Sequence, residues 1–222
     1  MYSFEHYPVT PAEPIKDSIV QMVVDYATDL AGHGLAPSNP LYSLYQYVAG
    51  FEVQRYLDGM DGAQGSAAEL WVATTDEGDL VGFALYLPVV NDPQACAVAF
   101  LAVRAAHRRR GIARDLLQRV RARYPHAELA CNPAKVGIFA ALGFRVLGAR
   151  GPQVLMNTRD HATGGLIPLL DISPVYRSLE VRQIHAYLLN QHGRRAMLDA
   201  EKQRDRQLDR LEREAAARVP GH

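Results

Sequence analysis

Ala97-Val98-Ala99-Phe100-Leu101-Ala102-Val103, then His107-Arg108-Arg109-Arg110-Gly111-Ile112-Ala113, decides how this chain is read. The first run is apolar and strand-like. The second is a basic turn with a glycine in it, and an amphipathic helical pattern follows to about Tyr124. A second strand-like run, Ala127-Glu128-Leu129-Ala130-Cys131, stops at Asn132-Pro133, and a short helical stretch leads into Leu142-Gly143-Phe144. The order is strand, turn, helix, strand, helix.

The physical sense of the turn follows from its composition. The first N–H groups of a helix lack carbonyl partners and carry partial positive charge, so an anion placed there is stabilised. Gly111 has no Cβ to hold a ligand away, and Ala113 is nearly as small. Arg108, Arg109 and Arg110 add formal charge in the planar form that suits phosphate oxygens. The turn reads as a pyrophosphate site.

At these residues the chain resembles the GNAT superfamily of N-acetyltransferases. That family's acyl-CoA loop has the pattern Arg/Gln-x-x-Gly-x-Gly/Ala, matched by Arg108-x-x-Gly111-x-Ala113. The likeness includes the strand ending at Val103, the Asn132 that closes the next strand, and the Gly143-Phe144 pair; it spans roughly residues 68 to 157. It implies an α/β fold: a mixed, mostly antiparallel sheet with one central strand–helix–strand crossover, flanked by helices. The implied cofactor is acetyl-CoA. Its pyrophosphate would lie on the loop amides of Arg109, Arg110, Gly111, Ile112, Ala113 and Arg114, with Arg108 beside them. Its pantetheine arm would meet backbone groups of Leu101, Ala102 and Val103, where two parallel strands splay and leave ladder groups unpaired. Asn132 is a further contact to the arm or a turn-former before Pro133, and Phe139 falls among the cofactor-binding positions.

Phe139 also marks a departure. Family members often carry a tyrosine four residues before the glycine of the Gly-Phe pair, as the acid for the leaving thiolate. Phe139 has no proton to give. A glutamate on the fourth strand often serves as base, whereas Cys96-Ala97-Val98-Ala99 holds no carboxylate. The catalytic residues are therefore unassigned. Tyr86, Asp92, Tyr45, Glu52 and Cys131 are candidate replacements, and no spacing chooses among them. His107, beside the arginines, reads as a solvent-facing turn residue.

Length and composition bound the rest. The chain has 222 residues, 48% hydrophobic and 22% charged, enough for one main domain and an appendage. Lys+Arg 24 against Asp+Glu 24 leaves no net charge, which argues against wholesale nucleic-acid binding. No apolar run reaches membrane-spanning length, and the first six residues do not resemble a secretory leader. Cys96 and Cys131 fall on or beside strands, as buried reduced thiols of a cytoplasmic protein, and there are too few ligands for a zinc site.

In chain order, Tyr2 to Thr10 predicts a strand and Pro14 to Leu30 a helix through Ile15, Ile19, Met22, Val23 and Tyr26. Asn39 then caps a second helix, with Pro40 its first residue, running to about Met60. Its Tyr42, Tyr45, Tyr47, Phe51 and Tyr56 read as packing residues or as the lining of an acceptor pocket under a lid. Residues 62–65 form a loop. Glu69 to Thr75 and Leu80 to Val90 are strands joined by a tight turn at Asp76-Glu77-Gly78-Asp79. Arg145 to Leu147 and Val154 to Met156 make a final hairpin.

The acetyltransferase domain is taken as residues 1–157 and a largely helical extension as 158–222. In the extension, Leu166 to Ile172 is a short strand or arm, and Pro174 opens a helix broken near His192-Gly193. From Arg194 to Arg218, opposite charges alternate at helical spacing, with Met197, Leu198, Leu208, Leu211 and Ala215 as a thin apolar seam. This is a solvated helix, or an arm that packs on a second copy in a homodimer. Two functions stand: a cytoplasmic acetyl-CoA-dependent N-acetyltransferase acting on a primary amine of a small molecule or peptide, or a GNAT-like binding module without turnover.

Overall fold

The computed structural model describes residues 1–62 and 67–220, so most of the loop expected over 62–65 lies outside the described residues. Among the described residues seven strands form one sheet: β1 (Tyr2–Tyr7), β2 (Glu69–Thr75), β3 (Leu80–Pro88), β4 (Ala95–Val103), β5 (His126–Cys131), β6 (Arg145–Arg150) and β7 (Gln153–Asn157). Their order is β1-β2-β3-β4-β5-β7-β6, and β4 with β5 is the single parallel pair. The α/β architecture is the one expected, with its crossover where the basic turn lies.

Helices cover both faces. α4 (Ile112–Arg123) makes the crossover and buries Ile112, Leu116, Leu117 and Val120 on one face of the sheet. Each such side chain is worth roughly 1.5–3 kcal/mol, so the start of α4 is held firmly. Gly82 on β3 lets it lie close: a Cβ there would come within 3.1 Å of Ile112 Cγ2. The other face is packed by α1 (Glu13–Asp25) and α3 (Tyr42–Asp58), through Ile19, Met22, Val23, Val53 and Leu57. Between them α2 (Ala27–Leu30) is one turn, and α5 (Val136–Ala141) follows β5.

Several boundaries differ from expectation, each for a local reason. β1 stops at Tyr7, before the first residue without an N–H, Pro8. The helix predicted from Pro14 to Leu30 is two, interrupted at Tyr26 (φ −110°, ψ 24°), whose hydroxyl accepts the Ala105 N–H at 2.8 Å. Asn39 does not cap α3; Leu41 does. Asn39 is buried, its Oδ1 accepting the Leu41 N–H at 2.9 Å and its Nδ2 donating to the Ala200 carbonyl at 3.2 Å. β3 ends at Pro88, and Leu166 makes only a single bridge to Val90. Pro174 lies in a 3-10 turn, Ser173–Arg177, and the long helix α6 (Leu179–Ala216) starts behind it, capped by the Ser178 hydroxyl.

α6 is broken at Gly193 (φ 78°, ψ 158°), where the sequence suggests a break. Its seam is largely spent within the chain. Met197, Leu211 and Ala215 are buried, Leu208 is half-buried and only Leu198 is exposed. Met197 shares a cluster with Leu41, Leu44 and Val48, and Ala215 with Val154 and Met156, so little of the seam is left to offer a second copy.

Candidate functional site

The site begins with a ladder that stops early. β4 and β5 pair from Ala95↔His126 to Val98↔Leu129 and no further, although β4 continues to Val103 and β5 to Cys131. A bulge sits at the divergence: Leu85 and Tyr86 on β3 face Phe100 and Val98, leaving Ala99 as the extra residue. Facing backbone groups beyond it have no strand partner and need another.

At the wide end of the gap lies the basic turn. Arg109 (φ 64°) and Gly111 (φ 85°) both take left-handed backbone, and the first hydrogen bond of α4 runs from the Asp115 N–H to the Gly111 carbonyl at 3.0 Å. The N–H groups of Ile112, Ala113 and Arg114 thus have no carbonyl within the helix. No atom lies within 4 Å of where a Cβ on Gly111 would stand, so the turn opens outward. Two anchors fix it: Arg104 Nε donates to the Leu80 carbonyl at 2.7 Å and Arg108 Nε to the Val103 carbonyl at 3.1 Å.

A cavity of about 590 Å³ runs from this turn into the splay. Leu101, Ala102, Val103, Arg108, Arg109, Gly111, Ile112, Ala113, Arg114, Asn132 and Phe139 all line it. Arg110 does not. Its guanidinium turns to β1 and donates to the Tyr2 hydroxyl at 3.1 Å. Arg109 and Arg114 have no ion-pair partner among the described residues, whereas Asp29 holds both Arg108 (3.6 Å) and Lys135 (2.7 Å) across the mouth. Asn132 acts as the turn-former, its Oδ1 accepting the Ala134 N–H at 3.0 Å, and it also lines the cavity. Phe139 packs edge-on against Phe144, with ring centroids 5.9 Å apart. His107 is half-buried rather than solvent-facing, its Nδ1 3.0 Å from the Tyr2 hydroxyl.

A second cavity, of about 760 Å³, meets the first through a shared wall of Val98, Ala99, Leu129 and Ala130. One face of α3 supplies Tyr45, Val48, Glu52 and Tyr56; the extension supplies Ile167, Leu169 and Tyr176. Burial pushes Glu52 up to about 7, and Glu52 has no hydrogen-bond or ion-pair partner among the described residues. His33 packs on Tyr45 at 4.2 Å between centroids, and burial, with the Arg204 charge behind it, lowers it to about 4.

Of the five candidate replacement groups, two reach this second cavity: Tyr45 and Glu52. Tyr86 lies on the α4 face, donating to Glu69 at 2.9 Å. Asp92 accepts from the Thr163 hydroxyl at 2.7 Å at the β3–β4 turn. Cys131 lines the first cavity, but burial raises its thiol to about 11 and it faces Met156 Sδ at 3.8 Å. His33 and the walls from residues 160–176 were not picked out from sequence. The usable signal was a carboxylate at position 52 on an otherwise apolar helical face, 45-48-52-56.

The mixed sheet thus splays beside a helix N-terminus, with one cavity under the turn and another behind the gap. The sequence profile of the Acetyltransferase (GNAT) family matches residues 39–144. Over that stretch the chain carries the GNAT family's sequence pattern, and its fold is GNAT-like. Its fold is similar to that of a PaiA N-acetyltransferase from Thermoplasma acidophilum in complex with coenzyme A (13% identity, 71% of this chain and 99% of that one, TM-score 0.53). It is similar also to a GNAT-family acetyltransferase from Staphylococcus aureus (13%, 72% and 100%, TM-score 0.50) and to an acyl-CoA N-acyltransferase from Pseudomonas aeruginosa (13%, 72% and 100%, TM-score 0.50). Among curated proteins none matches the sequence. No helix among the described residues is long and apolar enough to cross a membrane.

Proposed function

We propose that this protein is an N-acetyltransferase that uses acetyl-CoA to acetylate a primary amine of a small molecule or peptide by direct attack. The carrying observation is the pair of cavities joined at the splay, one beside an outward-facing anion turn and the other containing an ionisable carboxylate. The residues fit the cofactor. Free N–H groups from Ile112 to Arg114, unpaired Arg109 and Arg114, and the open side of Gly111 suit a pyrophosphate; unpaired β4 backbone suits an amide-bearing arm. When bound, acetyl-CoA supplies the activated acyl group.

The chain's own part is positioning. The β4 bulge at Ala99 opens one cavity into the other, so an amine held behind the gap reaches the acyl carbon without crossing solvent. We assign the protein to the cytoplasm, where buried Cys96 and Cys131 would stay reduced. The test is thiol release from acetyl-CoA over a panel of primary amines. Acceptor-dependent thiol is expected; coenzyme A binding with no thiol for any amine would make the protein a binding module instead.

A further inference from the structure

We infer that Glu52 is the group that receives the acceptor's ammonium, and that the second cavity takes a monocationic primary amine carrying an apolar or aromatic body. This rests on the acetyl-transfer reading above.

The argument starts from what the helix face presents. Tyr45, Val48, Glu52 and Tyr56 follow each other at helical spacing into the cavity, and Phe100 on β4 meets Tyr56 edge-on at 6.4 Å. A carboxylate on such a face is costly unless something compensates it. None of the nearby donors bonds it among the described residues. The Tyr56 hydroxyl accepts the Leu170 N–H at 3.1 Å. Arg204, the cation that reaches in from α6, is held by Asp205 at 2.7 Å and the Tyr45 hydroxyl at 3.3 Å. His33 makes its own bond, accepting the Leu35 N–H at 3.1 Å, and its lowered pKa keeps it neutral. Tyr176 is a neutral phenol, raised by burial. Glu52 is left facing the cavity with no partner among the described residues, and the acceptor's ammonium would supply one.

The other charges at this cavity limit that cation to one. Glu128 already accepts from the Thr163 N–H and lies 3.1 Å from His126 Nε2, and Asp160 points to solvent beside His161 at 2.8 Å. Arg150 on β6 lines the same cavity, lies beyond ion-pair distance of Glu52, and disfavours a second cation there. The remaining wall is aromatic and aliphatic, and the volume suits a small molecule.

The chemistry balances simply. The ammonium gives one proton to a Glu52 carboxylate oxygen, which later passes it to solvent. The freed lone pair forms the C–N bond as the thioester C–S bond breaks, the electron pair leaving on sulfur, which takes the amine's second proton. A base with a pKa near the working pH is the effective kind.

The experiment compares the parent with Glu52→Gln, using 2-phenylethylamine and spermidine as probes. Without cofactor, calorimetry at pH 6 in buffers of different ionisation enthalpy should show about one proton released per 2-phenylethylamine bound, because the ammonium ionises a protonated Glu52. The variant should release none. With acetyl-CoA, the parent's kcat/KM should rise with pH to a plateau above about pH 7. The variant should lose that limb and on the order of 100-fold in rate at the plateau. Coenzyme A affinity should not change. Because the folded-state pKa of Glu52 is raised, stability is lost as pH rises from the ordinary glutamate value to about 7 and stays lost above it, so the variant should melt higher than the parent at pH 8. Equal proton release and an unchanged pH profile in the variant would overturn the role of Glu52; preference for spermidine would overturn the single-cation cavity. Loss of coenzyme A binding in the parent would instead defeat the acetyl-transfer reading, so the two failures are distinguishable.

Discussion

Gly111→Ala separates the turn's backbone from its ligand. Gly111 sits at φ 85°, where an L-residue pays roughly 1–2 kcal/mol. Space is not the obstacle, since nothing lies within 4 Å of the new Cβ. A domain of this size loses about 2–4 °C of melting temperature per kcal/mol, so a fall of about 2–8 °C is expected. The methyl also projects into the open side of the turn, where the pyrophosphate is placed. Loss of one charge-assisted hydrogen bond costs about 1.5–3 kcal/mol, which is about 10- to 150-fold in Kd. Thermal melts and calorimetric titration with coenzyme A measure the two effects separately. A lower melting temperature with coenzyme A affinity unchanged within twofold would refute the anion site at this turn. An unchanged melting temperature would refute the left-handed backbone.

Other substitutions probe the scaffold. Glu69 accepts from Tyr124 (2.7 Å), Tyr86 (2.9 Å) and Arg123 (2.8 Å), and lies 3.0 Å from His6; Glu69→Ala should cost about 3 kcal/mol in urea unfolding, because buried hydroxyls lose their acceptor. Burial alone would raise the Glu69 pKa, but those hydrogen bonds outweigh it and the net shift is downward. Its stabilisation is therefore full above the ordinary glutamate value and lost as pH falls through the lowered one, and the variant's acid-unfolding curve should flatten there. His33, lowered to about 4, stabilises above its ordinary value and loses this between there and about pH 4; His33→Phe should remove that part of the pH dependence of Tm. Leu211→Ala should cost about 2–4 kcal/mol, since α6 buries that side chain against the domain. Phe139→Tyr, which restores a donor beside the cofactor cavity, should raise the rate of thiol release with coenzyme A affinity unchanged.

The sheet and turn were legible because their signals are local. Strand runs bounded by turns, a helix with Ile112, Leu116, Leu117 and Val120 on one stripe, and Gly111 after three arginines fix their own geometry. Boundaries set by distant partners were not. Tyr26 interrupts a helix because its hydroxyl takes the Ala105 N–H, 79 residues away, and Asn39 leaves its capping role because it is held to α6 at Ala200. Arg110 matches the basic pattern as well as Arg109 does, and only the position of Tyr2 on β1 turns it away. The acceptor side was hidden for the same reason. Its walls come from α3, β4, β5, β6, β7 and residues 160–176, which no spacing rule connects, and Glu52 stood among five candidates with no spacing to choose it.

The account stands or falls on what grips the diphosphate. Coenzyme A titrated into ¹⁵N-labelled protein should move the backbone amide signals of Gly111, Ile112, Ala113 and Arg114 most, with smaller shifts at Leu101 to Val103. Binding that leaves those four amides unmoved, or no binding at all, would contradict it.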